Sequence, residues 1–290
     1  MMRAATAIEP STWTDAHLHL WDSSVLAAPW LANAPQFSGC FDFSRYMKDG
    51  GVGGGVVLVE ANVAPKDRTR EAALLAAWGA TTGRACAVIA GIEPSSANFE
   101  EELTAARALP SVRGARHVLH TQPFESVTQR FEADLFALAA QRLTFDFCVR
   151  WRDLPSVEGC ARALPHLQFV LDHLGNPPIQ SAWNSPERAE WKRLIARVAA
   201  CDNVSVKWSA MFENAGRALS IDEARPWFEW CVACFGPTRV MWGSNWPVCF
   251  SNARLSEWIE LSALLANELS RVHDAHIVQP PSITWIAPVV

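Results

Sequence analysis

Two imidazoles sit two positions apart in Thr14-Asp15-Ala16-His17-Leu18-His19-Leu20-Trp21, in an otherwise largely apolar run. Side chains alternate across an extended strand, so His17 and His19 project the same way while Ala16, Leu18 and Leu20 face the opposite side and pack. Imidazole titrates nearest neutrality and is the commonest nitrogen ligand, so this pair suits metal ligation or shared proton handling. Further polar residues stand at the ends of later apolar runs: Glu60 and Asn62, Glu93, then Arg116, His117 and His120. Arg150 and Arg152, Asp172 and His173, Lys207 and Ser209, and Ser244 and Asn245 continue the series.

The elements that must position these groups are regular. Short β-rich runs cover 14–20, 55–60, 85–91, 112–119, 143–149, 168–172, 204–208 and 239–243. Segments of helical period lie between most of them, at 69–79, 99–109, 131–141, 157–164, 190–200 and 224–235. Strand then helix, repeated to eight strands, predicts an α/β fold with a parallel sheet closed as a (β/α)₈ TIM barrel, in one domain spanning 1–290. Active residues of such barrels gather where the strands end, which is where the polar groups above fall. The long stretch 21–44, with Trp30 and Phe37, is expected to cover the barrel mouth. The segment 279–290 has too many prolines to continue a helix and is expected to be irregular.

Half the residues are hydrophobic and 19% are charged, which argues for a large core and against disorder. A net charge of −5 with no basic run argues against nucleic-acid binding. Without a signal-like h-region or a membrane-length apolar stretch, the expectation is a soluble, cytoplasmic protein that engages no membrane. The eight cysteines lie mostly in apolar runs and read as reduced thiols; Cys231 and Cys234 fall within a helical pattern with no second pair to complete a zinc site. Among the fourteen tryptophans, Trp21, Trp151, Trp208 and Trp246 follow strand ends and are candidates for pocket walls.

Asp15-Ala16-His17-Leu18-His19-Leu20-Trp21-Asp22, Val112-Arg113-Gly114-Ala115-Arg116-His117, Phe169 to Gly175 and Arg239 to Pro247 resemble, in order and spacing, the sugar-lactonase branch of the amidohydrolase superfamily. That branch includes aldonolactone hydrolases and 2-pyrone-4,6-dicarboxylate lactonase. The resemblance implies an amidohydrolase-type barrel whose site combines His17, His19, His173 and the eighth-strand position, Asn245. It implies hydrolysis of the cyclic ester of a sugar acid or other carboxylated small molecule, by water attack on the carbonyl. A lactone isomerase or decarboxylase on the same barrel, or a weakly active relative, are the alternatives. No cofactor is required on this reading, or a weakly bound zinc or manganese is held by His17, His19 and Glu60; Glu60 can equally pair Arg116 or orient His19. The expected partner is a small-molecule lactone or carboxylate, and a homo-oligomer is compatible with the chain.

One departure bears on mechanism. The family's Gly-Ser-Asp-Trp-Pro stands here as Gly243-Ser244-Asn245-Trp246-Pro247. A carboxamide can orient a water but cannot deprotonate it near neutrality. Either His173 or the His17/His19 pair supplies the base, or the chemistry differs. On the first reading, His17 and His19 stabilise the oxyanion, Asn245 holds the water, and Arg116, Arg150, Lys207 and Trp246 bind substrate. Asn245→Asp is then expected to raise activity or metal uptake.

Overall fold

The computed structural model describes residues 10–273, apart from 122–123, 125–127 and 183; the proline-rich stretch 279–290 lies outside the described residues. The chain opens with β1 (Asp15–Leu18), then a small antiparallel pair, β2 (Trp21–Asp22) and β3 (Cys40–Phe41), followed by α1 (Phe43–Lys48). There follow β4 (Val56–Val59), α2 (Arg68–Thr81), β5 (Cys86–Gly91), α3 (Phe99–Arg107), β6 (Val112–Val118) and α4 (Gln129–Ala140). Next come β7 (Thr144–Cys148), α5 (Leu154–Ala163), β8 (Phe169–Leu171), α6 (Pro186–Ala199) and β9 (Val204–Trp208). The last elements are α7 (Met211–Ala215), α8 (Ile221–Phe235), β10 (Val240–Trp242) and α9 (Leu255–His273).

β1 and β4 to β10 form one eight-stranded parallel sheet in sequence order. Each predicted strand run contains one of these eight. β-branched and aromatic residues dominate because both faces of a barrel strand are buried. Register separates the two faces. Phe145 pairs with Phe169 and Phe169 with Val204, on the face that packs beneath the helices with Leu58, Val88, Phe147 and Trp208. The opposite face lines the barrel axis: Val59 pairs Ile89, Arg116 pairs Asp146, Asp146 pairs Val170, and Met241 pairs Lys207. Its lower part is a small apolar cluster of Ala16, Val57, Val59, Ile89, Val170 and Met241, and its upper part is charged.

Ala16 was expected to share a face with Leu18 and Leu20, but it joins the axial cluster while those two pack outward. The β1–β4 register shifts between Asp15 and Leu18, and such an irregularity breaks strict alternation. The barrel closes between β1 and the segment after β10 by Asn245 N–H to His17 O (2.8 Å) and His19 N–H to Trp246 O (2.9 Å). Asp15 fastens this seam: Oδ1 accepts from His17 N–H and Ser244 N–H, and Oδ2 accepts from the hydroxyl of Tyr46 at 2.9 Å. Gly243 lets the strands meet, since a Cβ there would come 2.6 Å from His17 Cβ.

The helix α9 was not among the predicted segments, yet Leu255, Trp258, Leu261, Leu265, Ala266 and Leu269 recur at helical spacing along its buried face. Among the described residues no helix is long and apolar enough to cross a membrane.

Candidate active site

A cavity of about 370 Å³ opens at the C-terminal ends of the barrel strands. Trp21 and Trp30, from the long stretch after β1, form an apolar wall, so that stretch covers the mouth as its length implied. Trp30 is fixed by a 2.8 Å bond from Nε1 to Ala61 O, and the two indoles meet edge to face with centroids 5.4 Å apart. His19, Arg116, His173 and Asn245 also line the cavity. His173 and Asn245 adopt left-handed backbone angles, φ 55° and 54°, as does Asn62 at 50°. For non-glycine residues this conformation is costly and clusters at functional sites.

The His pair lies as its spacing implied, with Nε2 atoms 3.1 Å apart. Hydrogen-bond accounting fixes the protons. His19 Nδ1 faces the carbonyl of Val59 at 3.0 Å, and a carbonyl only accepts, so the His19 proton is on Nδ1. His19 Nε2 is then an acceptor, His17 Nε2 is the donor to it, and His17 Nδ1 accepts from the Lys207 ammonium at 3.1 Å, beside Asp172 Oδ1 at 3.3 Å. His17 is completely buried beneath His19. The pair therefore has no spare N–H to offer a substrate oxygen.

Beneath the cavity runs a chain of buried charges. Lys207 donates to Asp146 Oδ2 at 2.6 Å and lies 3.0 Å from Asp172 Oδ1. Arg116 Nε donates to Asp172 Oδ2 at 2.6 Å, and Arg116 Nη1 donates to Glu60 Oε1. Burial pushes the Asp172 carboxyl up, but Lys207, His17 and Arg116 together hold it well below the usual carboxylate range. Asp146 is pushed up by burial to about 6 despite Lys207. Burial pulls the imidazoles down, helped by Lys207 at His17, by Arg116 at His19 (to about 4), and by Arg116 and Lys207 at His173 (to about 3). All three are neutral at physiological pH.

These shifts set the response to acid. An unfolded imidazole titrates near 6.5, so below that pH the unfolded chain takes up protons that the folded histidines refuse, and stability falls. Glu213 and Asp146, raised to about 7 and about 6, work the other way, as do Glu71 and Asp15, both raised by burial. There the fold binds protons that the unfolded carboxyls release, until those protonate near pH 4. Below that point the acids no longer offset His17, His173 and Asp172. The melting temperature should vary little between pH 7 and 5 and drop steeply below about 4. A uniform decline from pH 7 in a melting series would mean that the raised carboxyls contribute nothing.

Three sequence candidates for substrate contact lie elsewhere. Lys207 stands within β9 rather than past its end, so its ammonium is spent in the barrel axis on Asp146, Asp172 and His17. Trp246 is completely buried against Phe41 and Tyr46, with Nε1 donating to Asp49 at 3.2 Å. Arg150 is ion-paired with Asp153 at 2.9 Å and does not line the cavity. Nor do Trp151 and Trp208; the latter packs on Phe228 and Trp258. Glu93 and His117 pair with each other, and Glu93 with Arg68, away from the cavity.

The expected ligand trio of His17, His19 and Glu60 does not assemble, because Glu60 spends its oxygens on Arg116 and the Asn62 N–H. Among the described residues, His17, Asp172 and His173 bring donor atoms within 4.8 Å of one another. Asp172 already lies against Lys207 and Arg116, and a divalent ion there would sit beside two buried cations. The donor set does not fit a tightly held divalent metal.

The acid of the cavity was absent from the sequence candidates, as were its polar neighbours Thr121, Asn176 and Asn214. Glu213, on α7 four residues beyond Ser209, accepts a 2.7 Å hydrogen bond from Asn245 Nδ2. Burial pushes its carboxyl up to about 7 against the lowering effect of Asn245. In the sequence it is one acid directly after Ala210-Met211-Phe212, which by itself does not single it out.

The chain is 28% identical over 241 residues to an L-fucono-1,5-lactonase of Burkholderia ambifaria, covering 81% of this chain and 80% of that one. It is 24% identical over 205 residues to an L-rhamnono-gamma-lactonase of Scheffersomyces stipitis, covering 62% and 61%. In fold it resembles an amidohydrolase of Burkholderia multivorans crystallised with HEPES, at TM-score 0.81 and 22% identity over 95% of this chain and 99% of that one. A second crystal form of that protein holds zinc. It also resembles a putative 2-pyrone-4,6-dicarboxylic acid hydrolase of Pseudomonas putida, at TM-score 0.68 and 20% identity over 95% and 97%. The amidohydrolase family model Amidohydro_2 matches residues 14–273, from the strand that carries the His pair to the end of α9, and the chain belongs to that family.

Proposed function

We propose that this protein hydrolyses the lactone of a sugar acid to the open-chain hydroxy acid. The observation that carries the reading is the placing of Arg116 and neutral His173 in one cavity with Asn245, under a two-tryptophan wall. The lactonase relatives give the reading its substrate class.

A lactone carbonyl directed at Arg116 and His173 meets two donors that are held before substrate arrives, which is the arrangement that stabilises a developing oxyanion. His173 Nδ1 lies 2.8 Å from Ser209 Oγ; with the hydroxyl donating, the imidazole proton is on Nε2 and available to the carbonyl oxygen. A neutral imidazole with so low a pKa is a weak base, so His173 acts as donor and not as proton acceptor. His17 and His19 position the floor rather than touch the carbonyl. Asn62, Thr121, Asn176 and Asn214 offer polar groups to ring hydroxyls, and Trp21 and Trp30 an apolar face to the carbon skeleton.

A pH-indicator assay tests this directly. Added to L-fucono-1,5-lactone or L-rhamnono-gamma-lactone, the protein should release acid well above the uncatalysed rate, with and without added zinc. Rates equal to buffer across a panel of five- and six-membered aldonolactones would overturn the reading.

A further inference from the structure

We propose that Glu213, held by Asn245, is the general base of this site, the carboxylate having moved from the end of the eighth barrel strand to the helix that follows the seventh. The inference rests on the lactonase reading above and deepens it.

Three observations converge. First, Asn245 cannot accept a proton from water, and its Nδ2 donates to Glu213 Oε1 at 2.7 Å, so the amide orients a carboxylate. Second, Glu213 lines the same cavity as Arg116 and His173, and its short helix is turned toward that cavity by Ala210, at φ 55°. Third, the other imidazoles of the site are occupied: His17 and His19 with each other, with Lys207 and with Val59 O, and His120 Nδ1 with Cys148 Sγ at 3.1 Å, while His173 sits in a field that keeps its proton affinity low. A carboxyl raised to about 7 is matched to proton transfer near neutrality.

The step balances without a co-reactant. Water oxygen adds to the lactone carbonyl carbon as its proton passes to the Glu213 carboxylate, and the carbonyl π pair moves to the oxygen facing Arg116 and His173. On collapse the acyl C–O bond of the ring breaks, and Glu213 returns the proton to the departing alcohol oxygen. The product is the hydroxy acid.

Groups that face Glu213 and could move its titration are few. Asn245 and the Cys249 thiol approach from the segment after β10, and Cys249 is itself raised well above its ordinary range, by burial first and by Glu213 next. Across the cavity stand His19, His120, His173 and Arg116.

The test uses the full chain and L-fucono-1,5-lactone. Glu213→Gln should lower kcat by about 10²–10⁴-fold with KM nearly unchanged, and remove the rising limb near pH 7 from the kcat profile. The exchange Glu213→Gln/Asn245→Asp, which keeps one carboxylate and one amide in contact, should recover much of that loss; circular dichroism melts of both variants establish that they fold. A Glu213→Gln protein that keeps kcat within a few-fold, or that keeps the limb, overturns the assignment while leaving the lactonase reading intact. A folded double variant that recovers nothing also counts against it. If the native protein is silent on every lactone, both fall.

Discussion

Lys207→Met should cost the fold about 3–5 kcal/mol and lower the melting temperature by roughly 5–8 °C. The ammonium is buried and serves three partners at once: Asp146 at 2.6 Å, Asp172 at 3.0 Å and His17 Nδ1 at 3.1 Å. Burial alone pulls its pKa down, but Asp146 and Asp172 lift it above the ordinary lysine value, so it is charged throughout the working range. Its removal leaves Asp146 without a cation and Asp172 with Arg116 alone, and an uncompensated buried charge is the costly outcome. Asp146, already raised to about 6, then takes up a proton.

A double variant separates electrostatics from packing. Lys207→Met/Asp146→Asn removes one charge of each sign and should regain a large part of the loss, giving a favourable coupling energy in the cycle. Equal losses in the single and double variants would place the effect in packing around β9. Lactone hydrolysis should also fall in the single variant, because His17 Nδ1 loses the donor that holds the ring in place and, with it, part of the support that His17 Nε2 gives His19.

What could be read from the sequence divides along physical lines. The eight barrel strands were legible because each is a short apolar run bounded by turn chemistry, and register merely selects which face looks inward. The rule that barrel sites gather at strand ends put His17, His19, His173 and Asn245 at one mouth along with many other polar groups, and the family resemblance singled those four out. Depth was not legible. Arg116 and Lys207 stand inside their strands, and whether such a cation reaches the cavity or turns into the axis depends on the strand stagger. Here Arg116 reaches the cavity and Lys207 does not. Trp246 failed for a related reason: the turn after β10 carries it under the mouth, against Tyr46 and Phe41. Glu213 was missed because it lies on a short helix past the strand end, where periodicity offers no reason to single out one acid. Its role is visible only through the hydrogen bond from Asn245.

That hydrogen bond reverses the expectation for Asn245→Asp. On sequence alone the substitution restores a missing carboxylate and should raise activity. In the structure it puts a second carboxylate where Asn245 Nδ2 now donates to Glu213 at 2.7 Å. Two acids at that separation cannot both ionise freely; they share one proton, and the second ionisation of the pair moves well above 7. The base is active only when deprotonated, so raising its pKa shifts the rising limb of the pH profile to higher pH. At pH 7 kcat should fall about tenfold for each unit of that shift and recover toward pH 9. The same variant with Glu213→Gln carries no such pair, and its limb should return toward that of an ordinary carboxylate. Faster hydrolysis by Asn245→Asp at pH 7, with its limb unmoved or lowered, would mean that position 245 accepts the proton unaided and that Glu213 only holds it in place.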